Sequence, residues 1–139
     1  MLIKEIMKPD VVTIDAQESV LSAANKYRDY KIGCLIVTVD GKCAGIVTER
    51  DIIERTICEL LDPKVTKVGE IMSSDIKTVH SLDKLEKAIN VMVENNIKKL
   101  PVIQNNNIVG IVTVTDISRA RPDLSDRFIE SWIKPIWRD

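Results

Sequence analysis

The stretch Gly45-Ile46-Val47-Thr48-Glu49-Arg50-Asp51 returns as Gly110-Ile111-Val112-Thr113-Val114-Thr115-Asp116. The same offset of 65 aligns residues 3–53 with 68–118 without a gap. Identical pairs include Ile6/Ile71, Met7/Met72, Thr13/Thr78, Ala23/Ala88, Leu35/Leu100 and Val37/Val102, besides Gly45/Gly110, Thr48/Thr113 and Asp51/Asp116. An ungapped duplication restricts the fold to one supersecondary unit used twice. A unit of about 60 residues buries only about 60% of its unfolded surface and is marginal alone. The halves are therefore expected to pack on each other about a pseudo-twofold axis, so that any cleft occurs twice.

Within one copy, a Pro9-Asp10 breaker precedes a short β-branched run ending at Ile14. From about Glu18 to Lys31 the apolar positions Val20, Ala23, Ala24 and Tyr27 fall on one helical face. Leu35–Val39 and Ala44–Val47 flank Asp40-Gly41, a two-residue turn suited to a type I′ hairpin. Thr48 then caps a second helix predicted to reach about Leu61, with Ile52, Ile53, Ile57, Leu60 and Leu61 as its apolar positions. In the second copy Leu85, Ala88, Ile89 and Met92 repeat the first stripe, and Asn105-Asn106 replaces Asp40-Gly41 because Asn tolerates positive φ. The predicted class is α/β (α+β), two β-α-β-β-α repeats packed through their sheets: repeat 1 over 1–61, a linker over 62–67, repeat 2 over 68–120 and a helical tail over 121–139. The tail's apolar positions are Leu124, Phe128, Ile129, Trp132 and Ile133, a stripe to be covered by its own domain or by a second subunit.

Twenty Lys+Arg against 21 Asp+Glu give a net charge of −1, so no global field recruits nucleic acid or an anionic membrane. No apolar run is long enough for a span, and Met1-Leu2-Ile3-Lys4-Glu5 lacks the layout of a signal peptide; the reading is cytoplasmic. Cys34, Cys43 and Cys58 lack C-x-x-C spacing and meet only one histidine, His80, so no metal site is expected and the cysteines read as small buried apolar side chains. His80 is expected to be an exposed residue before a helix. Nothing resembles a Ser/His/Asp set or a phosphate-binding Gly-rich loop, which argues against an enzyme.

Gly-hydrophobic-x-Thr-x-x-Asp at the end of a hairpin strand, its ungapped duplication, and the run Ile97-Lys98-Lys99-Leu100-Pro101-Val102-Ile103 resemble the tandem CBS domain, the cystathionine-β-synthase-type repeat paired in a Bateman module. The resemblance covers about residues 3–120. It implies a stand-alone regulatory module that binds AMP, ADP, ATP or S-adenosylmethionine in clefts between repeats and is usually a dimer of pairs. No other cofactor is required, and any regulated protein partner is not identified. The alternative is a structural scaffold that acts on a partner independently of nucleotide.

Thr-x-x-Asp is also the spacing of a capping box, in which both side chains satisfy free N–H groups at a helix start. A binding role is compatible with that, because the Asp carboxylate accepts from both hydroxyls of a ribose diol. The glycine three residues before Thr48 or Thr113 would let a ligand approach the backbone. The resemblance implies one cleft gathering Thr78, Ile97, Lys98 and Lys99 with Thr48, Arg50 and Asp51, and another gathering Thr13 and Ile32-Gly33-Cys34 with Thr113, Thr115 and Asp116. Ile76, Val79 and Ile97 are candidates to sandwich adenine. Three cations assign phosphate to the first cleft, although Arg50 is also placed to pair with Glu54 and Lys98 and Lys99 suit a solvated strand edge.

Overall fold

The computed structural model describes residues 1–128. The chain divides into two compact units: Val11–Ile76 forms one, and Met1–Asp10 joins the residues from Lys77 onward in the other. The first turn of each repeat is thus built into the unit formed by the rest of the other repeat.

In the Val11–Ile76 unit, β1 (Thr13–Asp15) leads into α1 (Val20–Tyr30), which begins where the Ser19 hydroxyl accepts from the Ser22 amide at 3.1 Å and ends on Lys31 in the left-handed region, φ 55. The strands β2 (Leu35–Val39) and β3 (Lys42–Val47) form the hairpin around Asp40 and Gly41, whose φ values of 52 and 78 are those a type I′ turn requires. β1 pairs parallel to β2, and β2 antiparallel to β3. Next comes α2 (Glu49–Ile52), which passes into a π-helical turn at Ile53–Ile57, and the unit closes with α3 (Val68–Ile71) from the start of the second repeat. Ile14, Val20, Ala23, Leu35, Val37 and Val47 form the core together with Val68 and Ile71 of α3.

The other unit repeats this plan with β4 (Val79–His80), α4 (Leu85–Asn95), β5 (Lys99–Gln104), β6 (Asn107–Thr113) and α5 (Val114–Ala120). Its sheet has the same order and directions, and both hairpins slip register at equivalent places, Val37/Thr38 and Val102/Ile103. Here Ile3, the counterpart of Val68, supplies the exchanged core residue beside Val79, Leu85, Ile89, Met92, Leu100, Val112 and Ile117.

The exchange is fixed by matched backbone bonds. Ile3 N donates to Asp83 O and Val68 N to Glu18 O, at 2.9 and 2.8 Å. Lys8 and Ile111 exchange a pair of bonds at 2.8 and 2.9 Å, as Ser73 and Ile46 do at 2.9 and 3.0 Å. Each leading segment thus satisfies backbone groups along the outer edge of a third strand, which would otherwise lie open.

Several expectations are corrected. The second helix is not an amphipathic helix to Leu61: it turns π-helical after Ile52, and Ile53, Ile57, Leu60 and Leu61 are exposed. Only one of the three cysteines is buried, Cys34; Cys43 is half-buried and Cys58 exposed. His80 lies in β4, half-buried, and its Nδ1 accepts from the Leu82 amide at 3.0 Å. Of the tail, a 3-10 turn at Pro122–Leu124 and α6 (Asp126–Phe128) are described; Phe128 is buried in its own unit's core, whereas Ile129, Trp132 and Ile133 lie outside the described residues. Among the described residues no helix is long and apolar enough to cross a membrane.

Candidate functional site

Both Thr-x-x-Asp turns form reciprocal caps. Thr48 Oγ1 accepts from the Asp51 amide at 3.2 Å while Asp51 Oδ2 accepts from the Thr48 amide at 2.9 Å. The equivalent distances at Thr113 and Asp116 are 3.1 and 3.0 Å. Each carboxylate therefore commits one oxygen to its cap, and the other, Oδ1, keeps acceptor capacity.

A cation stands beside each Oδ1, and the two come from opposite sources. Arg55 Nε, in the π-helical turn, lies 3.7 Å from Asp51 Oδ1; Lys8 Nζ, on the exchanged leading segment, lies 3.7 Å from Asp116 Oδ1. The counterpart of Arg55 is Ala120 and that of Lys8 is Ser73: the first repeat carries both cations and the second neither, and the exchange of the leading segments gives one to each unit. Ion pairs of this length with one partly exposed partner contribute about 0–1 kcal/mol, so a ligand able to bond the carboxylate has little to displace. Arg55 does more than pair: its Nη1 donates to the carbonyls of Ile71 and Met72 at 3.0 and 3.3 Å, clamping the end of α3. Neither Lys8 nor Arg55 was among the candidates, because only the fold brings the leading segment and the π-helical turn to these carboxylates.

The hairpin register shows which basic residues stand at each turn within a unit. In an antiparallel hairpin the first strand begins where the second ends, so a repeat's hairpin start meets its own strand-to-helix turn. Lys99 is paired with Thr113, and the Lys98 carbonyl accepts from the Val114 amide at 3.0 Å. Lys98 and Lys99 thus accompany Thr113, Asp116 and Lys8 in one unit, with Thr78 just before β4 and Ile97 half-buried against the same core. In the other unit Leu35 pairs with Val47, which places Ile32-Gly33-Cys34 close to Thr48 and Asp51. Thr13 is exposed at the start of β1. Arg50 turns to Glu54, its Nε donating to Oε1 at 3.0 Å, with both side chains largely in solvent.

The glycines have a structural cause. A β-carbon on Gly45 would stand 2.6 Å from Ser73 O and 2.8 Å from Met72 Sδ; on Gly110 it would stand 2.7 Å from Met7 Sδ and 2.9 Å from Lys8 O. The space that was expected to admit a ligand is filled by the leading segment of the other repeat.

Tyr27 marks a further difference between the turns. Its hydroxyl donates to Val47 O at 2.6 Å, and its pKa is raised far above the ordinary tyrosine value, first by burial and then by the charges of Cys34, Glu49 and Asp51. The second repeat has Met92 at that position. Among the described residues no three His, Cys, Asp or Glu side chains gather as metal ligands would.

The CBS domain matches residues 3–57 and 68–123. Hypoxic response protein 1 of Mycobacterium tuberculosis is 33% identical over 121 residues, which cover 86% of this chain and 85% of that protein. A crystal structure of Hypoxic Response Protein I with two coordinated zinc ions superimposes with a TM-score of 0.78 at 31% identity, covering 86% of this chain and 98% of that one. The hexameric CBS-CP12 protein from bloom-forming cyanobacteria gives a TM-score of 0.75 at 32% identity over 94% of this chain and 73% of its own. The chain belongs to the CBS-domain family and carries two copies of the domain.

Proposed function

We infer that this protein is a regulatory module that binds an adenosine-containing ligand, AMP, ADP, ATP or S-adenosylmethionine, and performs no catalysis. The observation that carries the reading is the gathering of Asp116, Lys8, Lys98 and Lys99 in one unit, at the start of α5. A carboxylate with one oxygen left outside its cap accepts from a ribose diol, and lysines nearby stabilise phosphate. The seven-residue α5 is too short for its dipole to be the main anion attractor; the lysine side chains supply that charge. Thr48, Arg50 and Asp51 form the corresponding turn of the other repeat, in the same unit as Thr13, and Arg50 is engaged there by Glu54. A ligand that favours one conformation shifts the population toward it, which suffices for signalling without chemistry. Self-association, as in the hexameric relative, fits the same role.

Titration calorimetry with adenosine, AMP, ADP, ATP and S-adenosylmethionine, paired with thermal unfolding, tests the reading. At a ligand concentration one hundred times Kd the fold gains about 2.7 kcal/mol. Absence of heat and of thermal shift for all five at millimolar concentration overturns it.

The exposed Ile53, Ile57, Leu60 and Val65 favour a second reading, a scaffold that docks a partner regardless of nucleotide, since clustered exposed apolar side chains mark interaction surfaces. A partner that co-purifies equally with and without nucleotide, and is lost in Ile57→Glu, supports it.

A further inference from the structure

The two exchanged segments are held differently. In the Val11–Ile76 unit the cation beside the carboxylate belongs to the π-helical turn, and Arg55 grips two backbone carbonyls at the end of α3. Those two bonds are made by Nη1 and do not involve Asp51, which faces Nε. In the other unit the cation belongs to the exchanged segment itself. Lys8 reaches Asp116 from a stretch whose local backbone bonds to the sheet are the pair it makes with Ile111. Whatever occupies Asp116 therefore acts directly on the N-terminal segment.

We propose that Lys8 reads the charge of the ligand bound at Asp116 and passes it to the N-terminal segment, residues 1–10. This rests on the adenosine-binding reading and adds to it the regulation of that site. A ribose diol on Asp116 Oδ1 takes the acceptor that Lys8 faces. When the ligand carries phosphate, Lys8 moves its ammonium to the phosphate and the segment stays docked on β6. When the ligand is an uncharged nucleoside, Lys8 loses its partner, gains none, and the Lys8–Ile111 bonds open more often. Lys8 is well suited to the move: its side chain is 65% exposed, so its ammonium is hydrated and long-stemmed, whereas Asp116 is fixed in its cap at 7%. The duplicate cannot do this, because Ser73 stands where Lys8 would be.

The test compares adenosine with ATP on the wild-type chain, Lys8→Met and Lys8→Arg, by titration calorimetry and by hydrogen exchange of the Lys8 and Ile111 amides. Wild type should prefer ATP, with Lys8 accounting for about tenfold of the preference, the size of one charge-assisted bond, and its two amides should exchange faster with adenosine bound than with ATP bound. Lys8→Met should reduce the preference to what Lys98 and Lys99 supply, keep adenosine affinity within about twofold, and abolish the exchange difference. Lys8→Arg should restore both. A preference that survives undiminished in Lys8→Met, or wild-type amides that exchange alike under the two ligands, overturns the proposal and leaves adenosine binding standing. Failure of the wild-type chain to bind either compound overturns both.

Discussion

Gly45 lies so close to Ser73 that a β-carbon on it would stand 2.6 Å from the Ser73 carbonyl oxygen. Gly110 meets Lys8 in the same way. These contacts are where each exchanged segment crosses a third strand, so the glycines are needed for the exchange and not for turn geometry. Gly45→Ala and Gly110→Ala are each expected to cost about 1–3 kcal/mol, the range for forcing a group into packed structure. In each, the obstruction includes a backbone carbonyl that cannot rotate away. Urea denaturation checks this, and an unchanged midpoint for either variant rejects it.

The binding site is expected to be more sensitive in the second repeat. Lys8, Lys98 and Lys99 accompany Asp116, whereas Arg50 is held by Glu54 away from Asp51. Asp116→Ala should therefore weaken ATP binding by about tenfold or more, and Asp51→Ala by less. Both variants lose a capping box and about 1 kcal/mol of stability, so affinities are to be compared below both unfolding temperatures. The opposite order of affinities would return the phosphate site to the first repeat.

Tyr27 predicts a response to alkali. Its folded pKa is raised, chiefly by burial, so the neutral hydroxyl and its bond to Val47 O stabilise the fold fully below pH about 10, where the unfolded tyrosine titrates. Above that, the unfolded chain loses a proton that the folded one keeps, and stability falls. Tyr27→Phe should cost about 1 kcal/mol at neutral pH and flatten the decline between pH 10 and 12. Denaturant midpoints across that range make the comparison.

Asp83 predicts the acid side. Burial works against its charge, but the His80 amide, donating at 2.8 Å, and Lys87, at 3.3 Å, outweigh it and hold the pKa below the ordinary carboxylate value. Its contribution is present above pH about 4 and is lost as pH falls below that through the folded pKa. Asp83→Asn should narrow the stability difference between pH 6 and 3. An acid profile identical to wild type would show that Asp83 does not carry it.

Much of the fold was legible because its signals are local. The 65-residue offset, the Asp40-Gly41 and Asn105-Asn106 turns, and the helix over Leu85–Asn95 need only neighbouring residues to specify them. The second helix was misread because a 3.6-residue period assigns Ile53 and Ile57 to a buried stripe, while the π-helical turn rotates them outward. The capped turns of the candidate site were legible. Thr48, Asp51, Thr113 and Asp116 declare themselves by spacing, and the hairpin register, readable from the turn residues, already places Lys98 and Lys99 beside Thr113.

What the sequence by itself determined is the repeated β-α-β-β-α unit with its two capped turns, since periodicity, turn chemistry and capping all act within about a dozen residues. The tertiary structure alone decided that Ile3 and Val68 are buried in the unit of the other repeat, that Gly45 and Gly110 make room for those segments, and that Lys8 and Arg55 are the cations at Asp116 and Asp51. These are contacts between residues far apart in the chain. A duplicated pattern of apolar residues fits its own copy and the other equally well, so the choice between them falls to packing and backbone hydrogen bonds that form only when each unit folds.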